Sequence, residues 1–266
     1  MTKELEGYSE ITWIRADKLS VVWVESQRPF DEKWAREIAD EFDPQKLDPP
    51  VVTKPNAAGQ YHIISGQHRV AAVVMALGKD QQVPCRIIAE ADPARAAELF
   101  LGMSNNKAMK PIHEFLVAVK ANRPLEVSVN KIVRRCGYKV SAHTQTPDSV
   151  SAVSALKRIY QRHGEFILQS TLNTCRALWG SDSHGVTGTI VLGMSLFLNE
   201  FGRHVETSRL RKQVTDKYKS PGSFVEAVRY EKKQMVENMS VSTSSLLVKI
   251  YNKGLPESRR LRRKGG

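Results

Sequence analysis

Tyr61-His62-Ile63-Ile64-Ser65-Gly66-Gln67-His68-Arg69-Val70-Ala71-Ala72 is the stretch on which the reading of this chain turns. Its aromatic and β-branched first half predicts a strand, and the Ala/Val/Met-rich run from His68 to Leu77, closed by Gly78, predicts a helix. A strand that hands over to a helix leaves the helix's first backbone N–H groups unpaired, with about half a positive charge at that end. Gly66 allows the backbone to approach a ligand closely, and Arg69 supplies a forked cation, a combination that suits a phosphate. The same residues also fit a plain tight turn with Arg69 paired to an acid such as Asp31 or Glu32. Both readings stand at this point.

Outward from that corner, residues 11–24 are strand-prone around an Ala-Asp-Lys turn. Asp31 is placed to cap a helix on which Trp34, Ile38 and Phe42 recur every fourth residue, and Asp48-Pro49-Pro50 ends it. Residues 51–54 and 61–64 flank a Pro/Asn/Gly segment and read as a hairpin. Residues 83–89 read as a further strand, and Asp92-Pro93 opens a helix running through Leu101. The first region is therefore a small α/β module over residues 1–110. Residues 111–257 read as a helical domain, with a break at Gly137, a polar stretch over 141–149 and a loop over 180–185. Its helical patterns cover 167–178 and 186–201, followed by a Lys/Arg-rich segment over 209–233. Residues 258–266, with five basic side chains and no acid, read as a disordered basic arm.

Charge separates the two regions. The 266-residue chain carries 40 Lys+Arg against 28 Asp+Glu, a formal charge of +12. Residues 1–110 hold 14 basic and 16 acidic side chains, whereas residues 111–266 hold 26 and 12. A neutral module joined to one that prefers polyanions points to nucleic acid as partner, since neutralising phosphates releases counterions. A merely soluble basic helical domain is the alternative. With 41% hydrophobic residues the chain can build a core, and no apolar run approaches the length of a membrane span. The N-terminus has no signal-like sections, and Cys85, Cys136 and Cys175 are odd in number and far apart. A cytoplasmic protein without a disulfide framework or a cysteine metal site is expected.

The order of motifs resembles the N-terminal domain of ParB-type chromosome and plasmid partition proteins. The matching pieces are Gln27-Arg28-Pro29-Phe30-Asp31, Pro50-Val51-Val52, the strand–Gly66–helix corner, Leu77-Gly78, Val83-Pro84-Cys85 and Ser104-Asn105-Asn106-Lys107. They cover about 100 of 266 residues. The resemblance implies an α+β chain, with a ParB/sulfiredoxin-like module followed by a mainly α-helical domain. It also implies a nucleotide, usually CTP, cradled at Ser65, Gly66, Gln67, His68 and Arg69, with Arg28 nearby and Asn105 or Asn106 opposite. Gln67 stands where the family has an acid, His68 where it has an arginine, and Ser104 where a glutamate precedes the Asn motif. That missing carboxylate weakens the case for Mg²⁺-assisted hydrolysis, so a CTPase or other NTPase activity is left undecided. Sulfiredoxins share the fold but place a cysteine where Gln67 stands; sulfinic-acid repair is excluded.

Beyond residue 110 the likeness is to an uncharacterised ParB-like family of phages, plasmids and integrated elements, through Leu172 and Ala177-Leu178-Trp179-Gly180. Trp179 is read as core rather than as a base-stacking platform. The expected function is DNA binding in partition, transfer or transcriptional control, by a bacterial, nucleoid-associated protein that forms a homodimer and responds to a nucleotide. Lys131, Arg134, Arg135 and Lys139 on a short amphipathic helix, Arg209, Arg211 and Lys212, and Arg259, Arg260, Arg262 and Arg263 are the candidate phosphate contacts. Residues 138–147 are too long for a helix-turn-helix corner and suit a turn or wing. Two other functions compete. One is a nuclease or nucleotidase using Asp31, Glu32 and Asp48 on a metal, and the other is a degenerate module for protein contacts.

Overall fold

Alternation along two short strands organises the first part of the chain. The computed structural model describes residues 11–88, 92–103, 109–143, 146–235 and 238–263. Strands β1 (Ile11–Arg15), β2 (Leu19–Ser20), β3 (Val51–Pro55), β4 (Tyr61–Ser65) and β5 (Gln82–Ile88) form one mixed sheet in the order β1-β5-β3-β4-β2. The expected hairpin is β3–β4, antiparallel with Val52 opposite Ile63. Its turn is held by Asn56, whose Oδ1 accepts the Ala58 and Gln60 N–H groups at 2.9 and 3.0 Å. Strand β5 pairs antiparallel with β1 and parallel with β3, and β2 pairs parallel with β4.

Successive side chains of a strand face opposite ways, so the sheet buries two separate apolar layers. Val52, Ile63, Val83 and Cys85 pack on one side against Val70 and Val73 of helix α2 (Gln67–Leu77). Val51 and Ile64 pack on the other against Ala96, Ala97 and Phe100 of α3 (Pro93–Met103) and Val117 of α4 (Pro111–Lys120). Helix α1 (Glu32–Asp40) lies against α2, and Asp31 caps it by accepting the Trp34 N–H at 3.2 Å. The strand-prone residues Val21–Val24 do not extend the sheet. The N–H groups of Val22 and Trp23 go to His62 Nδ1 at 2.9 and 3.4 Å, and the chain then turns through Val24–Ser26.

The chain divides into two compact units between Arg123 and Pro124. Helix α4 therefore belongs with the first unit, beyond the break expected at Lys110. Its apolar face completes the α3 layer, and Arg123 grips Glu98 of α3 with two hydrogen bonds of 3.1 Å.

The second unit is helical. It comprises α5 (Pro124–Arg135), β6 (Lys139–Val140), β7 (Ser149–Val150), α6 (Val153–Trp179), α7 (Gly188–Phe201), α8 (Thr207–Lys217), α9 (Pro221–Met235) and α10 (Met239–Asn252). In the polar stretch after α5 a turn closes from the Ser149 N–H to the Thr146 carbonyl at 3.2 Å, and β6 and β7 on either side of the stretch pair in parallel. Arg176 fixes that segment through Asp148 at 2.8 Å and the Gly137 carbonyl at 3.1 Å. Helix α6 breaks at Gly164 (φ 79°, ψ −178°), and α7, apolar on most of its surface, packs against α6 and α10. The basic segment 209–233 is two helices, α8 and α9, joined through Tyr218–Ser220.

Residues 258–263 are not a loose arm. Leu261 is 7% exposed, its N–H and carbonyl both bond to the Asn252 amide, and Arg263 reaches Ser244 and Glu200. One apolar side chain with a backbone-matching partner is enough to dock a charged tail. Among the described residues no helix is long and apolar enough to cross a membrane. The three cysteines are free and buried, and burial pushes the Cys85 and Cys175 thiols up to about 12, which removes them as nucleophiles at neutral pH.

Candidate functional site

The corner at Gly66 opens onto a cavity of about 760 Å³. Strand β4 delivers Ser65 to its rim, and Gly66 turns the chain with φ 105°. A Cβ at that position would lie 3.0 Å from Pro50 Cβ, so only glycine brings the backbone this close to the β3 entry. The first intrahelical bond of α2 runs from the Val70 N–H to the Gly66 carbonyl, and no side chain caps the helix. The N–H groups of Gln67 and Arg69 belong to the first turn of α2, where the helix supplies no acceptor, and Gln67, His68 and Arg69 all line the cavity.

Side chains around the corner divide into braces and free groups. Gln67 is buried and donates from Nε2 to the Arg28 carbonyl at 2.8 Å, fixing the segment that carries Arg28. His68 is 4% exposed, with its ring stacked 5.1 Å from Phe30 and tilted 4.2 Å from Trp34. Its Nε2 accepts the Asp31 N–H at 3.0 Å. This histidine therefore joins the start of α1 to α2. Arg69 has an acidic partner, but it is neither Asp31 nor Glu32. Its Nη1 contacts both the carbonyl and the carboxylate of Asp48, while Asp31 caps α1 and Glu32 pairs with Arg36 at 2.9 Å.

Arg28 sits between two aromatic rings of the cavity. Its guanidinium lies 5.5 Å from the Trp34 ring centre and 5.8 Å from that of Phe100, and no carboxylate pairs with it among the described residues. Partial burial lowers its pKa, the direction expected for a charge taken from water without a counterion. Lys46 and Arg86 also line the cavity, and Asp48 is the one carboxylate among its described lining residues. The described lining thus combines the cations Arg28, Lys46, Arg69 and Arg86 with the aromatic side chains of Trp34 and Phe100. Because Arg69 already holds Asp48, the donor set does not fit a magnesium ion bound by protein groups. Asn105 and Asn106 lie outside the described residues.

Sequence reasoning missed Trp34, Lys46, Arg86 and Phe100 as lining residues. Arg86 was accessible by parity, since it points away from the layer that holds Val83 and Cys85. Phe100 and Lys46 carry no local signal, because only the tertiary fold brings them to the corner.

The candidate DNA contacts fall into unlike environments. Lys131, Arg134 and Lys139 are exposed, whereas Arg135 pairs with Glu165 at 2.8 Å. Arg209 closes the end of α10, donating to the Tyr251 and Lys253 carbonyls at 3.1 and 2.6 Å. Its neighbours Arg211 and Lys212 are exposed on α8. Arg259 is exposed, Arg260 donates to the Leu255 carbonyl at 3.0 Å, Arg262 pairs with Glu257 at 2.6 Å, and Arg263 is tied to α10 and α7. A groove of about 990 Å³ gathers Lys217 of α8, Lys249 and Lys253 at the end of α10, and Arg260 of the tail, with Asp216 the one acid in its described lining and Lys249 paired to Glu231 at 2.9 Å. Basic clusters distant in sequence thus line one depression. Trp179 packs 5.5 Å from Phe224, in keeping with its reading as a packing residue.

No curated protein matches the chain. Among solved structures, it is similar to the C-terminally truncated chromosome-partitioning protein ParB from Caulobacter crescentus complexed with CTP-γ-S. That likeness has 18% identity and a TM-score of 0.31, covering 61% of this chain and 98% of that one. A family model matches residues 24–260, and the chain belongs to that family, the family of unknown function DUF6551.

Proposed function

We propose that this is a DNA-binding protein whose N-terminal unit takes a nucleotide, with CTP the first candidate, in the cavity at Gly66. The observation that carries the reading is the meeting of uncapped α2 amides with the Arg28 guanidinium in one aromatic-walled cavity. Helix amides and an arginine fork suit phosphate oxygens, and the half-buried Trp34 on the cavity wall supplies apolar surface beside them. A cavity of about 760 Å³ lies within the range of small-molecule sites, ~300–1,000 Å³. The motif order Gln27–Asp31, Pro50–Val52 and Tyr61–Arg69 supports the same reading, through the resemblance to partition proteins. The ligand can shift a dimeric, DNA-competent state only through unequal affinity for its two states.

The second unit contributes the polyanion surface, through Lys131, Arg134 and Lys139 and through the groove of Lys217, Lys249, Lys253 and Arg260. Partition, transfer and transcriptional control all fit such a protein. A nuclease or nucleotidase is less well supported, because Asp31, Glu32 and Asp48 are engaged by a helix N-terminus, Arg36 and Arg69.

Thermal-shift titration with CTP, ATP and GTP tests the cavity. The reading expects stabilisation by at least one triphosphate and its loss in Arg28→Ala. No shift with any of them refutes it. Gel shift on random duplex tests the second unit, where affinity must fall steeply with salt; a flat response removes DNA.

A further inference from the structure

Three basic side chains outside the sites above converge on a cavity of about 350 Å³ in the second unit. Arg158, Arg162 and His163 reach it from α6, just before the break at Gly164. The opposite wall is Leu192 and Leu196 of α7, and the start of α10 closes it with Met239. Among the described residues, no carboxylate lines this cavity. Two arginines four residues apart on a helix repel each other. Nearby acids do not relieve them, because Glu126 pairs with Lys157 at 2.6 Å and Glu165 with Arg135 at 2.8 Å. The buried hydroxyl of Ser195 in the floor is satisfied by the Leu192 carbonyl at 2.8 Å. The described lining thus carries two exposed arginines and a histidine and no anion. The α10 dipole, with its positive end here, acts in the same direction.

We propose that this cavity binds a small organic anion, a phosphate monoester whose charged end meets Arg158, Arg162 and His163. Its apolar body lies on Leu192, Leu196 and Met239. The apolar wall distinguishes such a ligand from a backbone phosphate of DNA, which offers nothing to bury there. The site is separate from the Gly66 cavity and does not depend on the nucleotide reading.

Calorimetric titration with phenyl phosphate and with inorganic phosphate tests it on the full chain, alongside Arg28→Ala and the doubles R158Q/R162Q and R158K/R162K. Phenyl phosphate should bind saturably and more tightly than inorganic phosphate, with no change in Arg28→Ala. Affinity should fall about tenfold or more in R158Q/R162Q, the loss of a charge-assisted contact, and less in R158K/R162K. Absence of saturable binding overturns the proposal, as does equal affinity in R158Q/R162Q. Abolition of phenyl phosphate binding by Arg28→Ala also overturns it, since the ligand then sits at Gly66. If R158Q/R162Q weakens only short duplex DNA, the arginines are DNA contacts and the small-anion site does not exist.

Discussion

Replacing Gly66 by alanine separates two costs that the structure assigns to this corner. The first is conformational. At φ 105° an L residue is outside its favoured regions, which costs on the order of 1–3 kcal/mol. The second is steric. The new Cβ would stand 3.0 Å from Pro50 Cβ, 3.1 Å from Pro50 Cα and 3.2 Å from Arg69 Nη2. Arg69 can move, but a proline leading into β3 cannot, so backbone must shift at about 1 kcal/mol or more. Gly59, in the β3–β4 turn, supplies the control, having φ 73° with nothing within 4 Å of its would-be Cβ. Gly59→Ala should therefore cost only the conformational part, about 1–2 kcal/mol. Gly66→Ala should cost about 2–4 kcal/mol. Urea unfolding of both variants reads the difference, and nucleotide titration of Gly66→Ala should show weakened binding. Gly66→Ala no less stable than Gly59→Ala would refute the close approach of Gly66 to Pro50.

Further outcomes follow from single side chains. His68→Ala removes two ring contacts and leaves the Asp31 N–H without its acceptor, so stability should fall by about 2–4 kcal/mol in denaturant melts. A loss under about 0.5 kcal/mol would deny it a structural role. Burial lowers the His62 imidazole to about 4, from 6.5 in the open chain. The unfolded state thus binds a proton first as pH falls. Stability is complete above about pH 6.5 and declines towards pH 4 by about 3 kcal/mol. His62→Asn, which retains an acceptor for Val22, should flatten that part of the stability–pH curve; an unchanged slope would place the titration elsewhere. The triple variant K217Q/K253Q/R260Q should lower the slope of log affinity for duplex DNA against log salt by about 2–3. An unaltered slope would take DNA out of the α8–α10 groove.

How much of this was legible depended on whether a residue's role is local. The β3–β4 hairpin, the Asp31 cap, the Gly66 corner and the stop at Gly78 are each written in a few adjacent residues, and all are present. The Arg69 partner was not legible as Asp48, because Asp31 and Glu32 are as acidic and their local duties to α1 and Arg36 decide the outcome. His68 carries no neighbour-based signal, since Phe30 and Trp34 come to it across about forty residues of chain. The tail misled for the opposite reason. Its charge is plain in sequence, while the single Leu261 that docks it on Asn252 is not distinguishable from a chance apolar residue. Arg209 looked like its neighbours Arg211 and Lys212, and only the end of α10 arriving beside it gives it different work.

The central claim is that an anionic nucleotide sits on the α2 amides beside Arg28. Its most direct measurement is calorimetric titration of the full chain with CTP, ATP, GTP and tripolyphosphate, repeated on Arg28→Ala. The account predicts one saturable event per chain for at least one nucleotide, tighter than for tripolyphosphate. It also predicts a loss of about tenfold or more in affinity when the guanidinium is removed. Titrations without saturable binding, or binding that Arg28→Ala leaves untouched, would contradict it.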